Sequence, residues 1–177
     1  MKLITIYFSA IVTILSCNYP EPESYLITYK YVGKVNVIFN QKLGNPPLYE
    51  NGRRLYKIPS NGILLTGFKD EEGFVDHKYY YVDTNGNKKP LKIFRYDYNK
   101  DGTVKWIIND SNEIGIFGDG TNGVYGNSKY RYQEFKVSSF RFLDSINDNV
   151  FFKKVQFYLN DNFSPDTIKS DTTRMER

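Results

Sequence analysis

Asp83-Thr84-Asn85-Gly86-Asn87-Lys88 is the stretch on which the fold turns, flanked by residues 74–82 and 91–96, two runs rich in Tyr, Val, Ile and Phe. Asn-Gly supplies the positive φ angles that let a two-stranded ribbon reverse, so the three segments read as a β-hairpin. Within the first run Tyr79-Tyr80-Tyr81 divides between two faces, because successive strand side chains point opposite ways.

The same pattern extends on both sides. Val35, Val37 and Phe39 alternate with Lys34, Asn36 and Asn40, the two-residue period of a half-buried strand. Residues 54–58 and 63–66 make short strands around Pro59-Ser60-Asn61-Gly62, a turn with a φ-fixing proline and a permissive glycine. Val104, Trp106 and Ile108 define another strand with Trp106 on its apolar face, and residues 113–117 and 130–137 add two more. Residues 150–159 carry two patterns at once. Phe151, Val155, Tyr158 and Leu159 fit a helical stripe, while the composition favours a strand, and the strand is preferred by a narrow margin. The expectation is an all-β protein with a single β-sandwich over residues 25–163, the alternative at 150–159 being one C-terminal helix.

The ends differ from this middle. Lys2, an apolar run over 3–15 and the small Ser16 have the anatomy of a secretion signal over residues 1–16. The run falls short of the ~20 apolar residues of a membrane-spanning helix. Ile14-Leu15-Ser16-Cys17 resembles the lipobox of bacterial lipoproteins, which implies a lipidated Cys17 as the new N-terminus, export, and anchoring in the cell envelope at the outer membrane. The alternative is an ordinary cleaved signal with an incidental cysteine. Residues 17–24 follow as lipid site and extended tether, since Pro20 and Pro22 cannot donate to a ladder. Glu21 and Glu23 read as solvated linker residues, or as part of a sorting signal. Residues 164–177, nearly free of apolar side chains, read as a disordered polar tail.

A further resemblance enters at Tyr31-Val32-Gly33-Lys34-Val35-Asn36-Val37-Ile38-Phe39, Asn51-Gly52-Arg53-Arg54-Leu55-Tyr56 and Ile58-Pro59-Ser60-Asn61-Gly62-Ile63. These resemble a family of small exported bacterial lipoproteins with a β-rich domain of unknown function. The likeness is good over residues 25–82 and poor beyond, and the proline usual in that family near Thr28 is missing. It implies a fold and no catalytic residues. The paired strands and turns are also similar in architecture to immunoglobulin-like or transthyretin-like accessory domains.

The chemistry on offer is sparse. Cys17 and His77 are the only residues of their kinds, so disulfides and imidazole-built metal sites are excluded. Asp76 beside His77 points to the opposite face, and His77 reads as a packed or surface residue. Asp97-Tyr98-Asn99-Lys100-Asp101-Gly102-Thr103 begins like a calcium loop, with Asp97, Asn99, Asp101 and Thr103 as candidate ligands and calcium as the one candidate cofactor. Its twelfth position is Ile108 where an EF-hand needs Glu, and the alternative is a plain polar turn. Residues 118–127 read as a mobile glycine-rich loop, with Tyr125, Tyr130 and Tyr132 as candidate ligand-binding side chains for a glycan or peptide. A net charge of +4 spread among many acids lacks the basic stripe that nucleic acid requires.

The sequence therefore points to a non-catalytic binding or interaction module, membrane-held through Cys17, with an unidentified protein or glycan partner. A lectin-like sugar module is one alternative. A hydrolase using two carboxylates from Glu71, Glu72, Asp76 and Glu134 is the other.

Overall fold

The computed structural model describes residues 20–71, 73–125 and 130–162; the segments read as signal, lipid site and tail lie outside the described residues. In chain order the strands are β1 (Glu23–Thr28), β2 (Gly33–Ile38), β3 (Tyr49–Glu50), β4 (Arg53–Ile58), β5 (Ile63–Leu65), β6 (His77–Val82), β7 (Lys88–Ile93), β8 (Tyr96–Tyr98), β9 (Val104–Trp106), β10 (Ile114–Tyr125) and β11 (Tyr130–Ser139). A 3-10 turn, Phe140–Ser145, and the helix α1, Asp148–Asn162, follow.

The Asn-Gly hairpin forms as its sequence dictates. β6 and β7 pair antiparallel from Tyr79↔Leu91 to Val82↔Lys88, and Asp83 Oδ1 accepts bonds from the amides of Asn85 and Asn87 at 2.9 Å each. Nine strands make one sheet, ordered β3-β4-β1-β6-β7-β10-β11-β2-β5, with β8 and β9 a separate hairpin. β7 is the fold line. It meets β10 only at Gly115↔Lys92 and Ile116↔Ile93, so the sheet bends there and its halves close face to face. Tyr25, Ile27, Tyr56 and Tyr79 from one half meet Val35, Val37, Phe135 and Val137 from the other. Tyr25 lies between Tyr56 and Tyr79, with ring centroids at 4.9 and 4.7 Å, and meets Phe135 edge-on at 5.3 Å. The result is an all-β, sandwich-like fold with one C-terminal helix.

Three expectations need correction. The strand preferred over residues 150–159 is part of α1. Asn147 caps it, its Oδ1 accepting from the Val150 amide at 3.1 Å, and Val155 and Leu159 then reach Ile38, Ile63 and Tyr125 on the outer face of the sheet. Strand-favouring composition lost to a cap and a ready apolar surface. Second, the glycine-rich segment expected as a mobile loop is, over residues 118–125, the second half of β10. It pairs with β11 from Thr121↔Glu134 to Tyr125↔Tyr130, so its backbone groups are satisfied by a ladder rather than by water. Third, β1 begins at Glu23, inside the stretch read as tether, and Glu23 is only 4% exposed. Parallel neighbours β4 and β6 on both sides draw it in.

Trp106 packs in a small satellite cluster with Phe94, Phe117 and Leu143, its ring 4.9 Å from that of Phe117. Asn36, expected to face water, is fully buried, because Tyr125 and Glu134 cover that face of β2 and bond it at 3.4 Å each.

Candidate functional site

His77 opens β6, and parallel pairing sets it beside Glu23, the first residue of β1. From the opposite half of the sheet β10 brings Asp119. The register of β10 against β11 breaks between Phe117 and Thr121, and Gly118 and Gly120 take φ of 71° and 73° there. Such an irregularity turns a side chain out of its normal alternation, and only glycine adopts those angles at no steric cost. Asp119 thereby reaches His77.

The imidazole ends up between two carboxylates. Its Nδ1 donates to Asp119 Oδ1 at 2.7 Å and its Nε2 lies 3.3 Å from Glu23 Oε2, the ring's side chain being 6% exposed. Tyr79 donates to the same Asp119 oxygen at 2.5 Å, Tyr56 donates to Glu23 Oε1 at 2.9 Å, and Tyr25 also bonds Glu23. Gln133 from β11 sits 3.2 Å from His77 Nε2 and touches the Tyr25 hydroxyl. Turning the Gln133 amide so that its oxygen faces the imidazolium and its nitrogen faces Tyr25 gives every polar atom of this chain a complementary partner.

Burial opposes a charge on His77, but hydrogen bonds to Asp119 and Glu23 and their negative charges outweigh it and raise the imidazole from 6.5 to about 9. Burial likewise works against the Asp119 carboxylate, and bonds from His77 and Tyr79 hold it below the usual range. Burial and the neighbouring acids push Tyr25 and Tyr79 well above an ordinary phenol. At neutral pH the centre is an imidazolium between two carboxylates, closed off by neutral phenols.

Above it opens a cleft of about 320 Å³, lined among others by Glu23, Asp70, Glu71, Asp119, His77 and Phe74. Asp70 pairs with Arg131 at 2.5 Å and Glu71 with Arg54, but neither arginine lines the cleft, so among the described residues its wall carries four carboxylates and one imidazolium. Arg54 also bonds Glu21 at 2.6 Å and lies over the Phe68 ring, fastening the incoming chain beside the cleft.

The ligand-binding and metal candidates singled out in the sequence fall elsewhere. Tyr125 is 8% exposed, stacks on Tyr132 at 4.1 Å and meets Phe152 at 5.4 Å, so it helps seat α1. Tyr130 is half-buried in the same cluster. The segment 97–103 is the turn of the β8–β9 hairpin. Asp97 accepts from the Tyr98 amide, Asn99 donates to Thr103 Oγ1 at 2.9 Å, and Asp101 accepts from both the amide and the hydroxyl of Thr103. Among the described residues no three His, Cys, Asp or Glu side chains are grouped to hold a metal ion. Of the candidate hydrolytic carboxylates, Asp76 pairs with Arg53 at 2.5 Å and Glu134 with Lys34 at 2.9 Å; Glu72 lies outside the described residues. Of the three that are described, Glu71 alone joins the cleft. Glu23 and Asp119 were missed because one looked like tether and the other like loop; the only hint was the glycine on each side of Asp119.

Fold and cleft together describe a β-sandwich closed around a buried acid–histidine–acid centre. A family model described as a family of unknown function (DUF6843) matches residues 20–146, and the chain belongs to that family. Among solved structures, the chain is similar to a crystal structure of a provisionally assigned lipoprotein from Bacillus anthracis, at 20% identity and a TM-score of 0.47, covering 67% of this chain and 70% of that one. No curated protein matches the chain.

Proposed function

We propose that this is an exported, lipid-anchored envelope protein, held through Cys17 at the outer membrane, that works as a non-catalytic binding module. Its ligand site is the acidic cleft beside His77. The observation that carries the reading is the gathering of four carboxylates, Glu23, Asp70, Glu71 and Asp119, around one 320 Å³ opening, whose negative charge suits a small cationic ligand, an amine above all.

Binding is favoured over catalysis by the state of the histidine. With both ring nitrogens engaged and its pKa raised to about 9, His77 has no lone pair to offer as a base near neutrality. The anchor rests on the lipobox-like Ile14-Leu15-Ser16-Cys17; among the described residues no helix is long and apolar enough to cross a membrane.

Calorimetric titration with spermidine, ethanolamine and glucosamine, against uncharged glucose, tests the site. An amine that binds, and binds at least tenfold more weakly to a Glu71→Gln variant, is the expected result. Absence of heat with all three amines refutes the cleft as an amine site.

A further inference from the structure

Phe74 is fully exposed on the rim of the cleft, and Leu43, on the loop that follows β2, is 81% exposed. Isolated apolar side chains on a surface are ordinary; these two stand at the end of the sandwich where the chain enters. Glu21 donates its amide to Glu71 at 2.8 Å, and the Pro20 ring lies against Gly73, where an added Cβ would come within 3.0 Å of it. Phe74 is the next residue.

Pro20 is three residues beyond Cys17. A chain spans at most ~3.3–3.6 Å per residue, so the Cα atoms of Pro20 and Cys17 are within about 11 Å of each other. The headgroup layers add roughly 10–15 Å in total to a ~30 Å hydrocarbon core. An acylated Cys17 sits at that boundary, and a tether of this reach lets Gly73 and Phe74 lie against the headgroups.

We propose that this end of the domain docks on the lipid surface, with Phe74 and Leu43 inserting at the interface. Lys42 and Lys69, exposed on the same loops, face anionic headgroups. The cleft then opens along the membrane surface, so its ligand is met there. This inference rests on the lipid anchor proposed above and deepens it.

The test uses the full lipidated chain in vesicles of phosphatidylcholine and phosphatidylglycerol with brominated acyl chains. The expected result is that Phe74→Trp and Leu43→Trp each add fluorescence that the bromine quenches at least twofold. A Thr84→Trp variant, placed in the β6–β7 turn at the far end of β6 from His77, adds fluorescence that is not quenched. All three positions are exposed, so the variants keep the fold. Unquenched signal from both Phe74→Trp and Leu43→Trp, with the mass of the N-terminal peptide showing an acylated Cys17, overturns the docking and leaves the anchor standing. An unmodified Cys17 in that peptide overturns both.

Discussion

His77 is where one side chain governs most. The sequence left it as a packed or surface residue, and that Glu23 and Asp119 would flank it was not legible, because both contacts join residues far apart in the chain. The imidazole is raised to about 9 in the fold against an ordinary 6.5, with Glu23, Asp119, Gln133, Tyr25 and Tyr79 facing it. A group whose pKa folding raises contributes its full stabilisation below the unfolded value, about pH 6.5, and loses it as the pH climbs through 9. The gap corresponds to roughly 3 kcal/mol. Urea midpoints should therefore fall between pH 6 and pH 9.5. In His77→Gln the midpoint at pH 6 should be lower, since two buried carboxylates lose their cation, and the fall with pH should vanish. Equal wild-type midpoints at the two pH values would contradict this. A Tyr25→Phe variant removes the hydroxyl shared by Glu23 and Gln133 and should cost about 1–3 kcal/mol in the same measurement.

Among the elements, the β7–β10 seam and α1 are the ones the sequence hid. β7 itself was readable from the Asn-Gly turn, but its second partner was not, since two paired residues leave no periodic signature. At the seam, a Cβ on Gly115 would lie 2.5 Å from the Lys92 carbonyl oxygen and 2.6 Å from the Phe94 ring. Gly115→Ala should force the strands apart and destabilise by about 1–3 kcal/mol, read from the urea midpoint. For α1, residues 150–159 satisfy helical and strand patterns alike, so local propensity could not decide. Val155 is fully buried against the outer face of the sheet, and a Val155→Asp variant should detach the helix. The near-ultraviolet circular dichroism of the stacked Tyr125 and Tyr132 should then weaken; an unchanged signal would mean that α1 does not hold them.

On the scale of the whole molecule, the proposed anchor and the fold are separable. The residues that form the sandwich begin at Glu23, so a Cys17→Ala variant should keep the wild-type urea midpoint, lose labelled palmitate and leave the membrane fraction. Retention in that fraction would show that something other than the lipid holds the protein. What the sequence determined alone was local: alternation, turn glycines and prolines, and the signal-like N-terminus, each a matter of neighbours within a few residues. What only the tertiary structure decided was the site. Glu23, His77, Asp119 and Gln133 come from four strands on both halves of a folded-over sheet, and what brings them together is pairing across long loops, which no short-range pattern encodes.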